Sequence, residues 1–378
     1  MKKLFVFVIT LLFPLSAYAV DLNDKLSISG TATTVYQWLK MTQGYMDEEK
    51  TKKREDRGSA VIDFNVSFRP TQNDEFFLRA SFAKGSGFHD ERHSTYPFKL
   101  TPNADDLFID LKNINGHSRD HLQELWYSHK FEIEKDSFIK FTAGIIDGTG
   151  FIDDNNFAND EISQFMNEAL VNNPLANLIS YDAGLAGELE IKGFHLRVLG
   201  MRSKNDEGRN YNWIGAQIGY KLETSLGEGN YRLYAYTTNK RFLDWEGENY
   251  RALKGFGLSF DQELIKETLG AFFRAGWQDD KAEVDYKSMF SLGLNLKGSV
   301  WGRKDDEVGL GYAYLKSPSK NPELSRSQVF EGYVKFQLLS YKFLSTDLTF
   351  DYQYVKDSLR ENGSQAANIY SVRFNINF

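Results

Sequence analysis

The side chains able to bind or react concentrate in one stretch, Gly148 to Leu178. It gathers Asp153, Asp154, Asn155, Asn156, Asn159, Asp160 and Glu161. Carboxylates and carboxamides accept and donate hydrogen bonds, so they can replace the hydration of a polar solute that would be costly to strip bare. The run Asp153 to Asn156 lacks the spacing of an EF-hand loop, which leaves calcium a weak reading. His89–His93 and His117–His121 both show H-x-x-x-H spacing. Zinc would need each pair on one helix face, and neither sits in a helical pattern or carries Glu directly after the first His. There is no cysteine for a thiolate site and no G-x-S-x-G elbow. His129, inside a strand pattern, is the one histidine worth testing as a base. The chain is therefore read as a non-enzyme with no cofactor and no metal.

The elements that position these side chains are written in period two. Tyr370, Val372, Phe374, Ile376 and Phe378 alternate with Ser371, Arg373, Asn375 and Asn377. Ala60 to Arg69, Phe76 to Phe82, Leu269 to Gln278 and Leu344 to Tyr354 repeat the pattern, each with one apolar and one polar face. The composition agrees: 41% hydrophobic and 15% aromatic, with Gly 30, Phe 30, Tyr 20 and only Pro 7. Disordered chains are poor in aromatics. The formal charge of −7 argues against a nucleic-acid partner, which needs a basic surface.

A soluble sandwich buries its apolar faces, whereas a transmembrane barrel turns them to lipid. Many segments here are longer than the roughly 5–6 residues of a sandwich strand. Connections also alternate in length. Thr71–Asp74, Lys192–Gly193 and Ser340–Lys342 are tight; Met41–Arg57, Gly85–Leu122, Gly148–Leu178 and Asn239–Tyr250 are long and polar. Short turns at one end and long loops at the other mark an outer-membrane barrel. The expectation is an all-β, antiparallel, up-and-down transmembrane barrel of about 16 strands, with Leu107–Lys112 left inside a long outer loop. That width encloses an aqueous channel. The 148–178 connection is expected to fold into the lumen as a constriction, with a short helix over Asp160–Leu170.

The first 19 residues, MKKLFVFVITLLFPLSAYA, have a basic start, a short apolar run and Ala17-Tyr18-Ala19. They read as a signal peptide cleaved after Ala19. Residues 20–378 then form a single barrel, exported through the periplasm to the bacterial outer membrane.

The stretch Leu122–Pro174 resembles the carbohydrate-selective (OprB-type) porin family. Glu124-Leu125-Trp126-Tyr127 matches its E-x-W-Y strand, Gly144–Asp147 its G-x-x-D ending, and Asn155–Pro174 its N-x-F-A-N-D-E segment. Gly255–Asp280 and Val329–Tyr354 are similar to the family too. A Pro usual before the Asp of the penultimate strand is replaced here by Thr346 before Asp347. The resemblance implies a sixteen-stranded barrel through which sugars and other small hydrophilic solutes diffuse. General or ion-selective passage, or a non-conducting receptor barrel, are the alternatives.

Alternation places Asp63, Arg69, Arg79, Glu124, Trp126, Lys140, Asp182, Glu188, Arg197, Arg232, Arg274, Glu331, Tyr333, Asp351 and Arg373 on inward faces. Arg79, Glu124, Trp126, Lys140, Arg197, Arg274 and Glu331, with Asp153 to Asn156, are the candidates for a solute-contacting constriction. An alternative role for such wall charges is to pair across neighbouring strands and brace the sheet. Tyr352, Tyr354, Tyr370 and Trp277 belong to the outward aromatic girdles that meet lipid. Phe378, ending an alternating strand, resembles the signal read by barrel-assembly machinery. Monomer and trimer both remain open.

Overall fold

The computed structural model describes residues 23–47, 49–85, 87–88, 94–104, 111, 114–116, 121–341, 344–361 and 363–378. The proposed signal peptide, His89, His93 and His117, and all of 107–112 except Leu111 lie outside them.

The described chain is almost entirely strand. In order these are β1 (Leu26–Gln43), β2 (Arg54–Phe68), β3 (Asp74–Gly85), β4 (Leu122–Glu134), β5 (Ser137–Ile146), β6 (Asp182–Ile191), β7 (Phe194–Lys204), β8 (Asn210–Thr224) and β9 (Gly227–Thr238). A two-stranded ribbon follows, β10 (Phe242–Leu243) and β11 (Tyr250–Arg251). Then come β12 (Lys254–Ile265), β13 (Leu269–Gln278), β14 (Ser288–Lys297), β15 (Glu307–Lys316), β16 (Leu324–Tyr341), β17 (Leu344–Leu359) and β18 (Ser364–Asn377). Setting the ribbon aside, the other sixteen pair antiparallel with their neighbours, and β18 pairs with β1 to close the barrel.

Period two dictates which face meets what. Tyr370 (50% exposed), Phe350 and Trp277 point out, while Arg373, Asp351 and Arg274 on the same strands point in and are buried. A one-residue slip would invert all of them, which is how the pattern pins the register. The seam is closed by the last residue. Gly30 and Phe378 exchange backbone hydrogen bonds of 2.7 and 2.9 Å. A Cβ on Gly30 would meet the Phe378 ring at 2.5 Å, so only glycine admits that ring.

Two expected boundaries move. Strand pairing runs further than the Met41–Arg57 loop allowed, because Lys40 pairs with Arg54 and β1 continues to Gln43. Likewise Ser340 and Tyr341 belong to β16, and the turn beyond them lies outside the described residues.

The interior also departs from a simple wet lumen. Inward Trp213, Tyr234, Tyr236, Phe272 and Tyr333 are buried. They form two apolar clusters with Ile152, Phe165, Leu170, Leu175 and Ala176 of the 148–178 segment. The polar-face rule fails there because a folded segment, rather than water, covers those positions.

Candidate functional site

The long connection between β5 and β6 lies inside the barrel, against the wall made by β8, β9 and β12–β18. Its base is pinched by the Gly148 amide donating to Ile179 O at 2.9 Å. Arg274 then acts as a central staple. Its Nε sits 3.1 Å from the Asp153 carboxylate, with both side chains fully buried. Its Nη groups donate to Leu170 O and Asp153 O, each at 3.0 Å. Asp153 adopts φ 67°, and its carboxylate also accepts the Asn173 amide at 2.7 Å. Gln217 of β8 accepts the Asp153 amide at 2.8 Å and donates to Asp154 at 2.8 Å.

The two adjacent carboxyls of this segment are driven apart by their surroundings. Burial pushes Asp153 up to about 6 despite Arg274 beside it. Burial acts on Asp154 as well, but Arg197 and Arg232 outweigh it and hold that carboxyl below its usual range. Arg197 lies 2.9 Å and Arg232 3.1 Å from Asp154. Asn155 donates to Ser259 at 3.2 Å.

Farther along, Glu331 of β16 accepts the amides of Met166 and Asn167, the latter at 3.0 Å. Arg373 donates to Gln164 O at 3.0 Å, and Asn375 to Ile162 O at 2.8 Å. These bonds explain why no helix spans Asp160–Leu170. Residues 161–163 form a turn, Phe165 and Met166 are irregular, and only Glu168–Val171 is helical. The wall carboxylate captures the amides that a continuous helix would have used.

Opposite the segment a cavity of about 1270 Å³ remains open. It follows the β2–β7 wall, from Asp347, Asn375 and Asn377 at the tight-turn end to Lys204–Gly208 at the long-loop end. Midway, Arg79 pairs with Glu124 at 3.1 Å across β3 and β4. Trp126 donates its indole N–H to the same carboxylate at 3.1 Å. Phe77 stacks on Trp126, with ring centroids 4.9 Å apart and planes at 22°. Lys140 and Glu188 pair at 2.8 Å from β5 to β6. Asp147, at the end of β5, stands beside Glu124, while Asn159, Asp160 and Glu161 line the other side. Burial, reinforced by neighbouring Asp160, pushes the Glu161 carboxyl up to about 7. Among the described residues the cavity is lined by eight carboxylates against three cationic side chains.

The expected constriction residues therefore separate into two groups. Arg79, Glu124, Trp126 and Lys140 line the open path. Asp153, Asp154, Asn155, Asn156, Arg197, Arg274 and Glu331 do not line that cavity. Most are occupied in fastening the loop: Arg197 donates to Phe151 O at 3.3 Å, and only Asn156 is exposed, near Glu228. Arg79–Glu124 and Lys140–Glu188 are cross-strand pairs, as expected of wall charges that brace the sheet, and they also face the open cavity. Phe77, Asp147 and Tyr181 were missed. The signal for Phe77 was visible: it is an aromatic between Phe76 and Leu78, on the face that should be polar.

His129 is engaged by Asp74 at 2.7 Å near the tight-turn end, and His121 stacks on Phe82. Among the described residues no cluster of three or more His, Asp or Glu is arranged to hold a metal.

Comparison with known proteins agrees with this architecture. Residues 192–378 match the family model "Carbohydrate-selective porin, OprB family". An uncharacterized protein of Aquifex aeolicus (strain VF5) is 31% identical over 330 residues, covering 85% of this chain and 89% of that one. The high-pH structure of Pseudomonas putida OprB shares the fold, with TM-score 0.69 at 14% identity over 94% of each chain. The outer membrane channel DcaP of Acinetobacter baumannii matches at TM-score 0.54 and 10% identity, covering 96% of this chain and 100% of that one. On its sequence match and its closed sixteen-stranded barrel, the chain belongs to the carbohydrate-selective porin family of the bacterial outer membrane, the OprB family.

Proposed function

We propose that this barrel passes small hydrophilic solutes, sugars foremost, by passive diffusion along the β2–β7 wall. The observation that carries the reading is the Phe77–Trp126 stack beside the Arg79–Glu124 pair, both lining the open cavity. An aromatic ring covers the apolar face of a sugar, while carboxylate and guanidinium groups exchange hydrogen bonds with its hydroxyls. Each contact replaces water without holding the solute tightly, which suits transit through a channel. The 148–178 segment is the constriction: it narrows the bore from one side only. A signal peptide ending at Ala19 directs export through the periplasm, Phe378 serves recognition by the assembly machinery, and the barrel performs no catalysis.

The test is planar-bilayer conductance of the refolded residues 20–378, titrated with glucose and maltose. A saturable fall of current supports a sugar site. Open channels with no block would reduce the protein to a general porin, and a folded barrel that never conducts would overturn the porin reading.

A further inference from the structure

The outward surface of β18, β1, β2 and β3 carries a groove. It encloses about 560 Å³ between the Tyr36–Trp38 ridge and Lys84, floored by Gly58 and Ala60 and bounded by Phe374. Tyr36 and Trp38 pack edge-on with centroids 4.6 Å apart. A Cβ on Gly58 would come within 3.0 Å of the Tyr36 ring, so the missing side chain keeps the groove open. At the long-loop end of the groove, outward Lys40 and Arg54 stand directly opposite each other in register, and both are exposed. Lys84 faces the same way from the Ala60 register on β3.

These three cations have no ion pair or side-chain hydrogen bond among the described residues. Of the two acids of β2 beside the patch, only Asp56 shares its outward face. Asp56 takes the Tyr36 hydroxyl, and Glu55 turns inward to Lys52 and Arg57. On a chain of formal charge −7, three outward cations against the one outward carboxylate of Asp56, beside an apolar groove, form a specific arrangement. Long loops of outer-membrane barrels face the exterior, so the patch stands at the outer leaflet.

We propose that this groove binds a diphosphorylated lipid of the outer leaflet, one phosphate held by the facing Lys40 and Arg54, the second by Lys84 six residues along, and one acyl chain laid over Gly58 and Ala60. Lys and Arg make charge-assisted bonds to phosphate, and basic side chains at a membrane surface attract anionic headgroups. A two-fold contact with a second copy fits less well, because an isologous interface would set the basic patch against itself.

The experiment is native mass spectrometry of the purified full barrel, with a diphosphorylated glucosamine-based lipid and its dephosphorylated form as paired probes. The expected result is at least tenfold preference for the phosphorylated probe. That preference should fall about tenfold in Lys40→Gln/Arg54→Gln/Lys84→Gln, while channel conductance stays unchanged. Gly58→Leu, which fills the groove and leaves every charge in place, should weaken both probes. Heat-modifiable migration checks that each variant is folded. Should the triple variant fail to fold, Lys84→Gln alone should still lower the preference. Equal retention of the two probes, an unchanged preference in the folded variants, or a lipid-free dimer lost in the triple variant would each overturn the proposal.

Discussion

Arg274 and Asp153 form an ion pair at 3.1 Å in which neither side chain meets solvent. Breaking such a pair from one side strands a buried charge, at a cost of about 3–5 kcal/mol. Arg274→Ala is therefore expected to free the 148–178 segment. Its unfolding midpoint in urea should fall, and its single-channel current should become larger and noisier. Replacing both partners, as Arg274→Met with Asp153→Asn, should recover much of the stability. A quiet channel of normal size in the folded single variant would show that the staple is dispensable.

Trp126→Ala removes the ring on which a sugar would stack, and leaves Phe77 and Glu124 without their neighbour. An aromatic contact worth about 1 kcal/mol corresponds to a roughly fivefold rise in the half-blocking sugar concentration. Sugar block of the current reads this directly, with heat-modifiable migration confirming that the barrel assembles. Block at the wild-type concentration would remove Trp126 from the solute path.

Glu161 gives the lumen a pH dependence of definite sign. Its carboxyl is pushed up to about 7, first by burial and then by Asp160, with Asp147 and Asp63 adding in the same direction. Below that value it is neutral; above it the cavity gains one negative charge. Cation preference, measured as reversal potential in a KCl gradient, should rise between pH 6 and pH 8. Glu161→Gln should flatten that rise, and an equal rise in the variant would assign the titration elsewhere.

Gly30→Val places atoms where the Phe378 ring lies. The β1–β18 seam should open, with a lower yield of folded barrel in the outer membrane. Deleting Phe378 should act in the same direction, through loss of its two backbone bonds to Gly30. Normal yield and normal heat-modifiable migration in both would count against a role in closure.

The barrel was legible in the sequence because its determinant is local. Residues such as Tyr370 and Arg373 are assigned to opposite faces by their neighbours alone. Glu124 and Trp126 could be placed on the lumen for the same reason. The fastening of the loop was not legible, since Glu331 meets Met166 across 165 positions of chain and nothing local marks either residue. Inward Trp213, Tyr234 and Tyr236 escaped as well. In a membrane barrel an aromatic is ordinarily lipid-facing, and only the apolar side of the buried segment explains why these turn in.

The one-sided placement of that segment bears on how a solute travels. A ring-shaped eyelet would let a molecule tumble as it crosses. Here one flank of the route is continuous sheet from Asn377 to Lys204, and the other is a strap leaning on the far wall. On the proposed route a flat molecule with one apolar face would pass the Phe77–Trp126 stack best with that face turned toward it, as if sliding along a rail in a fixed posture. Discrimination would then depend on which face of a ring is bare of hydroxyls as much as on its diameter, and stereoisomers of equal size should cross at different rates.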